Sequence, residues 1–228
     1  DLFEMVSGSR MMCNYMRFGG VAHDVNEEFM KTATYLINEH LPKFVEAFDA
    51  FLTTNEIVME RCQGVGVLSR EDAIAYGTSG PVLRASGVSY DIRKCEPYSI
   101  YERLDFDIVT QQSGDIYARY LVRLGEIYQS LKILQQVIRD IPEGEYFPKK
   151  QWNLRVPAGE SYARVDGPKG ELGFYIVSDG GTNPYRYHVR SSSFIHLSAL
   201  EKMSLGHLIA DIVVILGSLD IVLGEVDR

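Results

Sequence analysis

Helical periodicity dominates this chain, and strand-like alternation is confined to one late stretch. Leu2, Met5, Val6 and Ser9 share one helical face, so residues 1–17 read as the end of a helix. Phe18-Gly-Gly-Val21 would close it, because glycine permits a left-handed exit. Asn26 is a natural N-cap, and Glu27 and Glu28 suit the first turn that follows. Phe29, Ala33, Leu36, Ile37, Leu41, Phe44, Phe48 and Phe51 then keep helical spacing. Pro42 sits inside that pattern and should kink or split the helix near residue 40. Ser69-Arg-Glu-Asp72 resembles a capping box and starts a short helix through Tyr76. Residues 115–141 form the clearest helix, with one apolar stripe from Tyr117 through Leu124 and Leu131 to Ile138; Pro142 ends it. The glycine-punctuated residues 77–87 and the long irregular stretch 97–113 connect these segments. Connections of that length are usually functional or pinned by a partner.

Residues 162–190 change character. Tyr162-Ala-Arg-Val165, Glu171-Leu-Gly-Phe-Tyr-Ile-Val177 and Tyr185-Arg-Tyr-His-Val-Arg190 alternate as strands. Turn chemistry separates them at 167–170 and 179–184, which predicts an antiparallel meander. Helical signals return over 198–216. The expected class is α+β: mostly helical, with a small antiparallel sheet near the C-terminal end, in a single domain over residues 1–228.

The apolar run 208–223 approaches the length of a membrane span. It falls short of about 20 residues and carries Asp211 and Asp220, so it reads as a core helix. A hydrophobic fraction of 46% supplies ample core for 228 residues, and a net charge of -8 argues against general nucleic-acid binding. No basic-then-apolar leader opens the chain, and its first residue, Asp1, suggests a piece of a longer protein. Cys13, Cys62 and Cys95 are widely spaced without a Cys-x-x-Cys; they read as reduced, mostly buried thiols holding neither zinc nor a cluster. The five histidines lack ligand spacing, and nucleotide loops and hydrolase or metalloprotease motifs are absent.

Some side chains admit two readings. Arg119, Arg123 and Glu126 lie three or four apart on the long helix, and spacing favours a solvated salt-bridge face over a grip on a neighbouring loop or subunit. Lys169, in Asp166-Gly-Pro-Lys-Gly170, is either an exposed hairpin lysine or a charge held near a substrate. Asp211 and Asp220 point nearly opposite ways on a straight helix at about 100° per residue. They therefore do not form a dyad: one should pair with a structural arginine and the other face a cavity. Carboxylates in a buried segment are costly unless paired or used.

Several motifs occur in order. These are Ser7-Gly-Ser-Arg-Met11, Arg17-Phe-Gly-Gly-Val21, Gly64-Val-Gly-Val-Leu-Ser69 and Ser79-Gly-Pro-Val-Leu-Arg-Ala-Ser-Gly87. Pro168-Lys-Gly-Glu171, Ser193-Phe194 and Gly217-Ser-Leu-Asp220, leading to Gly224-Glu-Val-Asp-Arg228, follow. Together they resemble the C-terminal portion of the D-type subunit of the proton-pumping NADH:quinone oxidoreductase, respiratory complex I. The resemblance runs over essentially the whole chain and leaves open fusion to the C-type subunit. The large subunit of [NiFe] hydrogenases is a distant relative, which implies a hydrogenase-like fold. The cysteine-free C-terminal end excludes Ni–Fe chemistry in this chain.

That resemblance implies a role in quinone reduction. Asp220, Val222 and Lys169 would line the quinone cavity. Glu225 and Arg228 would anchor the chain end and set local charge. Arg10 and Met12 would face the terminal [4Fe–4S] cluster of the small iron–sulfur (B-type) subunit. The C-type subunit and the H-type membrane subunit would be further partners. FMN and the other clusters would sit elsewhere in the complex, with no redox cofactor or metal on this chain. Many family members have a histidine where this chain has Met12. Methionine cannot titrate, so the expectation is a lower cluster potential that moves little with pH, and a low-potential quinone such as menaquinone. The location implied is peripheral, on the cytoplasmic face of the inner membrane. The alternatives are a ferredoxin-fed relative of complex I and a non-catalytic helical scaffold.

Overall fold

The computed structural model describes residues 1–147 and 155–227. Helix α1 (Leu2–Ser7) is far shorter than expected. It ends at Gly8, whose φ of 70° lets its N–H turn back to the Glu4 carbonyl. Residues after it are extended and enter a ribbon of β1 (Met16–Arg17) and β2 (Gly20–Val21), so Gly19 serves a hairpin turn and not a helix exit. Asn26 caps α2 (Glu27–Tyr35) by accepting from the Phe29 amide. A π-helical turn (Leu36–His40) separates α2 from α3 (Leu41–Leu52), which carries Pro42 in its first turn. The split near residue 40 is there. Proline lacks the N–H that would continue the ladder, and the extra residue of the π turn absorbs the mismatch.

Helices α4 (Glu56–Cys62), α5 (Arg70–Ala75), α6 (Gly80–Ala85) and α7 (Ile92–Cys95) follow, then a 3-10 turn (Tyr101–Arg103). Ser69 caps α5 as expected, accepting from the Asp72 amide. The irregular stretch before α8 (Ile116–Arg139) is pinned to that helix: Gln136 and Gln129 accept from the Asp105 and Asp107 amides. Helix α8 buries two sides instead of one stripe. Ala118 and Val122 pack with Ala85, while Leu124 and Leu131 join Ile37 and Val45.

Strands β3 (Gly159–Gly167), β4 (Gly170–Ser178) and β5 (Arg186–Arg190) form the expected antiparallel meander, with Gly167 paired to Gly170 across the tight turn. The helical signal beyond it is divided into α9 (Ser192–Ser198), α10 (Leu200–Ser204) and α11 (Ile209–Leu219), with α12 (Leu223–Val226) at the end. Gly206, at φ 83°, breaks the path between α10 and α11. The main core joins Leu68, Val82, Leu83, Ile116, Met203, Ile215 and Leu219.

The apolar run does not behave as a simple core helix. In α11 only Asp211, Ile215 and Leu219 are buried, whereas Ile209 and Val213 are 85% and 71% exposed. No helix among the described residues is long and apolar enough to cross a membrane. The cysteines are free, but Cys95 is exposed and Cys13 and Cys62 are only half-buried, so the thiols are less buried than their chemistry suggested.

Candidate functional site

The β3–β4 turn is held against the start of α6 by contacts that leave no room for a side chain. A Cβ on Gly80, whose φ is 61°, would lie 2.6 Å from the Gly170 Cα, and one on Gly170 would lie 2.5 Å from the Ser79 Oγ. The Ser79 hydroxyl accepts from the Glu171 amide, fixing the turn further. This docking carries Lys169 to the far end of α11, where its Nζ meets Asp220 Oδ2 at 2.6 Å. Asp220 ends α11 in a left-handed conformation, φ 56°. That is unusual for a residue with a side chain, and Asp is among the few that adopt it. Arg123 Nε, from α8, lies 3.7 Å from the same carboxylate. Asp220 is 40% exposed and Lys169 24% exposed, so the pair is open on one side rather than buried. The expectation of a buried Asp220 is therefore corrected. So is the exposed-hairpin reading of Lys169.

The separation of the two acids holds. Asp211 pairs with Arg61 at 2.7 Å and caps its own helix through the Leu208 amide, so it is structural. Arg119 and Arg123, however, do not form a solvated face. Arg119 is fully buried and donates to Ser218 Oγ, the Gly114 carbonyl and the Gly66 carbonyl at 2.8–2.9 Å. Burial and the neighbouring Arg123 push its pKa down to about 9, which still leaves it cationic at neutral pH. It fastens α11 to α8 and to the loop before α5. Glu126, one turn beyond Arg123, bonds buried Arg84 at 2.6 Å. Arg84 also faces Asp91, and Arg93 links Asp91 to Asp166 at the root of the Lys169 turn.

Beyond Asp220 the chain is anchored by Glu225. Its carboxylate accepts from the hydroxyls of Ser191, Ser192 and Ser193 and from the Ser193 amide, at 2.5–3.1 Å. Burial opposes its ionisation, but the serine hydrogen bonds outweigh that and hold its pKa below the ordinary range. Val222 is 46% exposed between Asp220 and this anchor, with its amide donating to Ser193 Oγ. His196, fully buried on α9, accepts from the Ser79 amide. Burial, then Arg190 and Arg123, push its pKa down to about 4, so it is neutral. Neither the serine triplet nor His196 emerged from the sequence. Three adjacent hydroxyls at a helix start, with a glutamate just after the apolar run, are the signal.

Arg10 and Met12 stand apart from this cluster. Arg10 pairs with Glu4 at 3.4 Å, and Met11, Met12, Met16 and Phe18 are 80% or more exposed. Arg228 lies outside the described residues. Among the described residues no group of three or more His, Cys, Asp or Glu side chains could hold a metal ion.

A family model described as "Respiratory-chain NADH dehydrogenase, 49 Kd subunit" matches residues 1–152 and 145–228. The chain belongs to this family. Its relatives include a D-type subunit of NADH-quinone oxidoreductase, numbered 1, from Roseiflexus sp. (strain RS-1). It is 54% identical over all of this chain and 63% of the relative. The D-type subunit of Dehalococcoides mccartyi and the one numbered 2 in Herpetosiphon aurantiacus are each 53% identical over all of this chain and 62% of their own length. This member of the 49-kDa subunit family thus spans a little under two thirds of the curated relatives it matches.

Proposed function

We propose that this chain is the C-terminal portion of the D-type subunit of a proton-translocating NADH:quinone oxidoreductase, with a hydrogenase-like fold. In this reading it forms one wall of the cavity where quinone is reduced. Lys169, Asp220 and Val222 line the wall, and Glu225 anchors it. Electrons reach the quinone from a [4Fe–4S] cluster held by the small iron–sulfur subunit, on the side of Arg10 and Met12. The C-type and H-type subunits complete the surroundings, FMN and the remaining clusters lie elsewhere, and the assembly sits peripherally on the cytoplasmic membrane face. With methionine at position 12, the quinone is a low-potential one such as menaquinone.

The observation that carries the reading is the Lys169–Asp220 pair, 2.6 Å long and partly open, on a frame that is otherwise buried. A lysine ammonium is a strong donor with a deprotonatable nitrogen, and beside a carboxylate it can orient a carbonyl headgroup and steady the charge of a reduced one. Arg123 adds a second positive charge next to Asp220. The names of the relatives support the assignment to NADH:quinone chemistry.

Steady-state kinetics on the intact complex test this. Lys169→Met or Asp220→Asn removes one charge-assisted contact, so quinone kcat/KM should fall by roughly ten- to a hundred-fold. NADH oxidation by hexacyanoferrate, which takes electrons before the quinone, should hold. Unchanged quinone kinetics in both variants would remove the proposal's basis.

A further inference from the structure

Besides Ile221, which packs on the main core, the segment from Asp220 to Glu225 is held by polar contacts at three described points. Lys169 and Arg123 hold Asp220, Ser193 meets the Val222 amide, and the serine triplet holds Glu225. The three serines do not share the task equally. Ser191 Oγ contacts Glu225 and caps α9 through the Phe194 amide. Ser192 Oγ contacts Glu225 alone in the hydrogen bonds described. Ser193 Oγ donates to Glu225 Oε2 at 2.5 Å and accepts from the Val222 amide at 3.3 Å.

A hydroxyl has one proton to donate and lone pairs to accept with, so both bonds can form at once. With Glu225 ionised, the Ser193 proton is committed to the carboxylate, which leaves the oxygen lone pairs free to receive the Val222 N–H. The serine is fully buried at the start of α9, a helix that, apart from the chain end, packs on α10, α11 and β4. Its position is therefore set by the scaffold and not by the chain end.

We propose that Ser193 is a positioning residue for the quinone-cavity wall: its hydroxyl joins Glu225 to the Val222 amide and so fixes Val222 and Asp220 opposite Lys169. This rests on the quinone-cavity reading of Lys169, Asp220 and Val222. Two features of the segment make the joint matter. Asp220 adopts a left-handed conformation that its surroundings must hold, and beyond Ile221, which packs on the main core, Val222 and Leu223 are exposed, so packing restrains Val222 little. Removing the hydroxyl leaves Glu225 docked by Ser191, Ser192 and the Ser193 amide, while the Val222 amide loses its partner. The predicted defect is displacement of the wall without release of the chain end.

The test uses the intact complex carrying Ser193→Ala, Ser193→Thr and Ser192→Ala. Amide hydrogen exchange of residues 220–226 should speed up in S193A and return toward the parent rate in S193T, which keeps the hydroxyl. With a short-chain naphthoquinone as acceptor, KM should rise roughly five-fold in S193A with a smaller change in kcat. S192A, which loses one Glu225 contact and keeps the Val222 contact, should have the smaller effect in both measurements. Ser193→Cys is near-isosteric with a weakly bonding thiol and gives the same readout if alanine blocks assembly. Unchanged exchange in both S193A and S193C, or an equal effect from S192A, overturns the joint. Faster exchange with unchanged KM sustains the joint and overturns the quinone reading beneath it.

Discussion

At the scale of single residues, the site is governed by which charges are matched. Asp166 is the mismatched one. Three carboxylates (Asp91, Glu126, Asp166) share two guanidiniums (Arg84, Arg93) in a mostly buried cluster. Burial pushes the Asp166 pKa up to about 6, against the pull of Arg93. The folded chain then binds this proton more tightly than the unfolded chain does. Its ionisation therefore costs stability as pH rises from about 4 through 6, and the cost is complete above that range. Asp166→Asn should relieve it, raising stability at pH 8 by on the order of 2–3 kcal/mol. The gain should vanish below about pH 4. Thermal unfolding of parent and variant at the two pH values checks this, and an equal difference at both would contradict it. His196 acts in the other sense. With its pKa lowered from 6.5 to about 4, the unfolded chain takes up a proton that the folded chain refuses, so stability falls as pH drops from 6.5 toward 4.

Among the elements, the β3–β4 turn and the end of α11 meet because neighbouring segments make the approach possible. Gly80→Ala puts a methyl 2.6 Å from the Gly170 backbone at a φ of 61°. It should cost at least about 1–3 kcal/mol and displace the turn. The expected outcome is a quinone-specific loss resembling Lys169→Met, although no charge is removed; quinone kcat/KM against hexacyanoferrate activity measures it. Normal quinone kinetics in G80A would mean that the turn does not depend on this contact. Local signals in the sequence were reliable here. The caps at Asn26 and Ser69, the break at Pro42 and the meander expected over 162–190 all depend on nearby neighbours or on hairpin partners across short turns. What escaped depends on distance along the chain. Arg119 looked solvated because its partners Gly66 and Ser218 are 53 and 99 residues away. Glu225 meets its serines across 32–34 residues. The first helix stops short of the expected residue 17 because Gly8 takes a left-handed φ and Met11, Met12 and Met16 beyond it find nothing to pack on here. For the candidate site itself, Asp220, Lys169, Val222 and Glu225 were legible through the family resemblance, and the structure adds the frame that joins them.

On the scale of the whole molecule, the chain combines a packed centre with large apolar side chains that face outward. Phe18, Met16 and Met12 at one end, Phe51 and Ile57 near α3 and α4, and Ile209 and Val213 on α11 are all more than 70% exposed. Such surface is expected where a subunit meets others, and the chain covers only about 62–63% of its relatives' length. In the proposed function, residues around Val222 and Lys169 face bound quinone in the assembled complex. Photolabelling the intact complex with a photoreactive quinone analogue, followed by peptide mapping, tests it most directly. Labelling is expected within 217–227 or the 166–170 turn and should be abolished by excess unlabelled quinone. Competable labelling confined to other residues of the complex would contradict it.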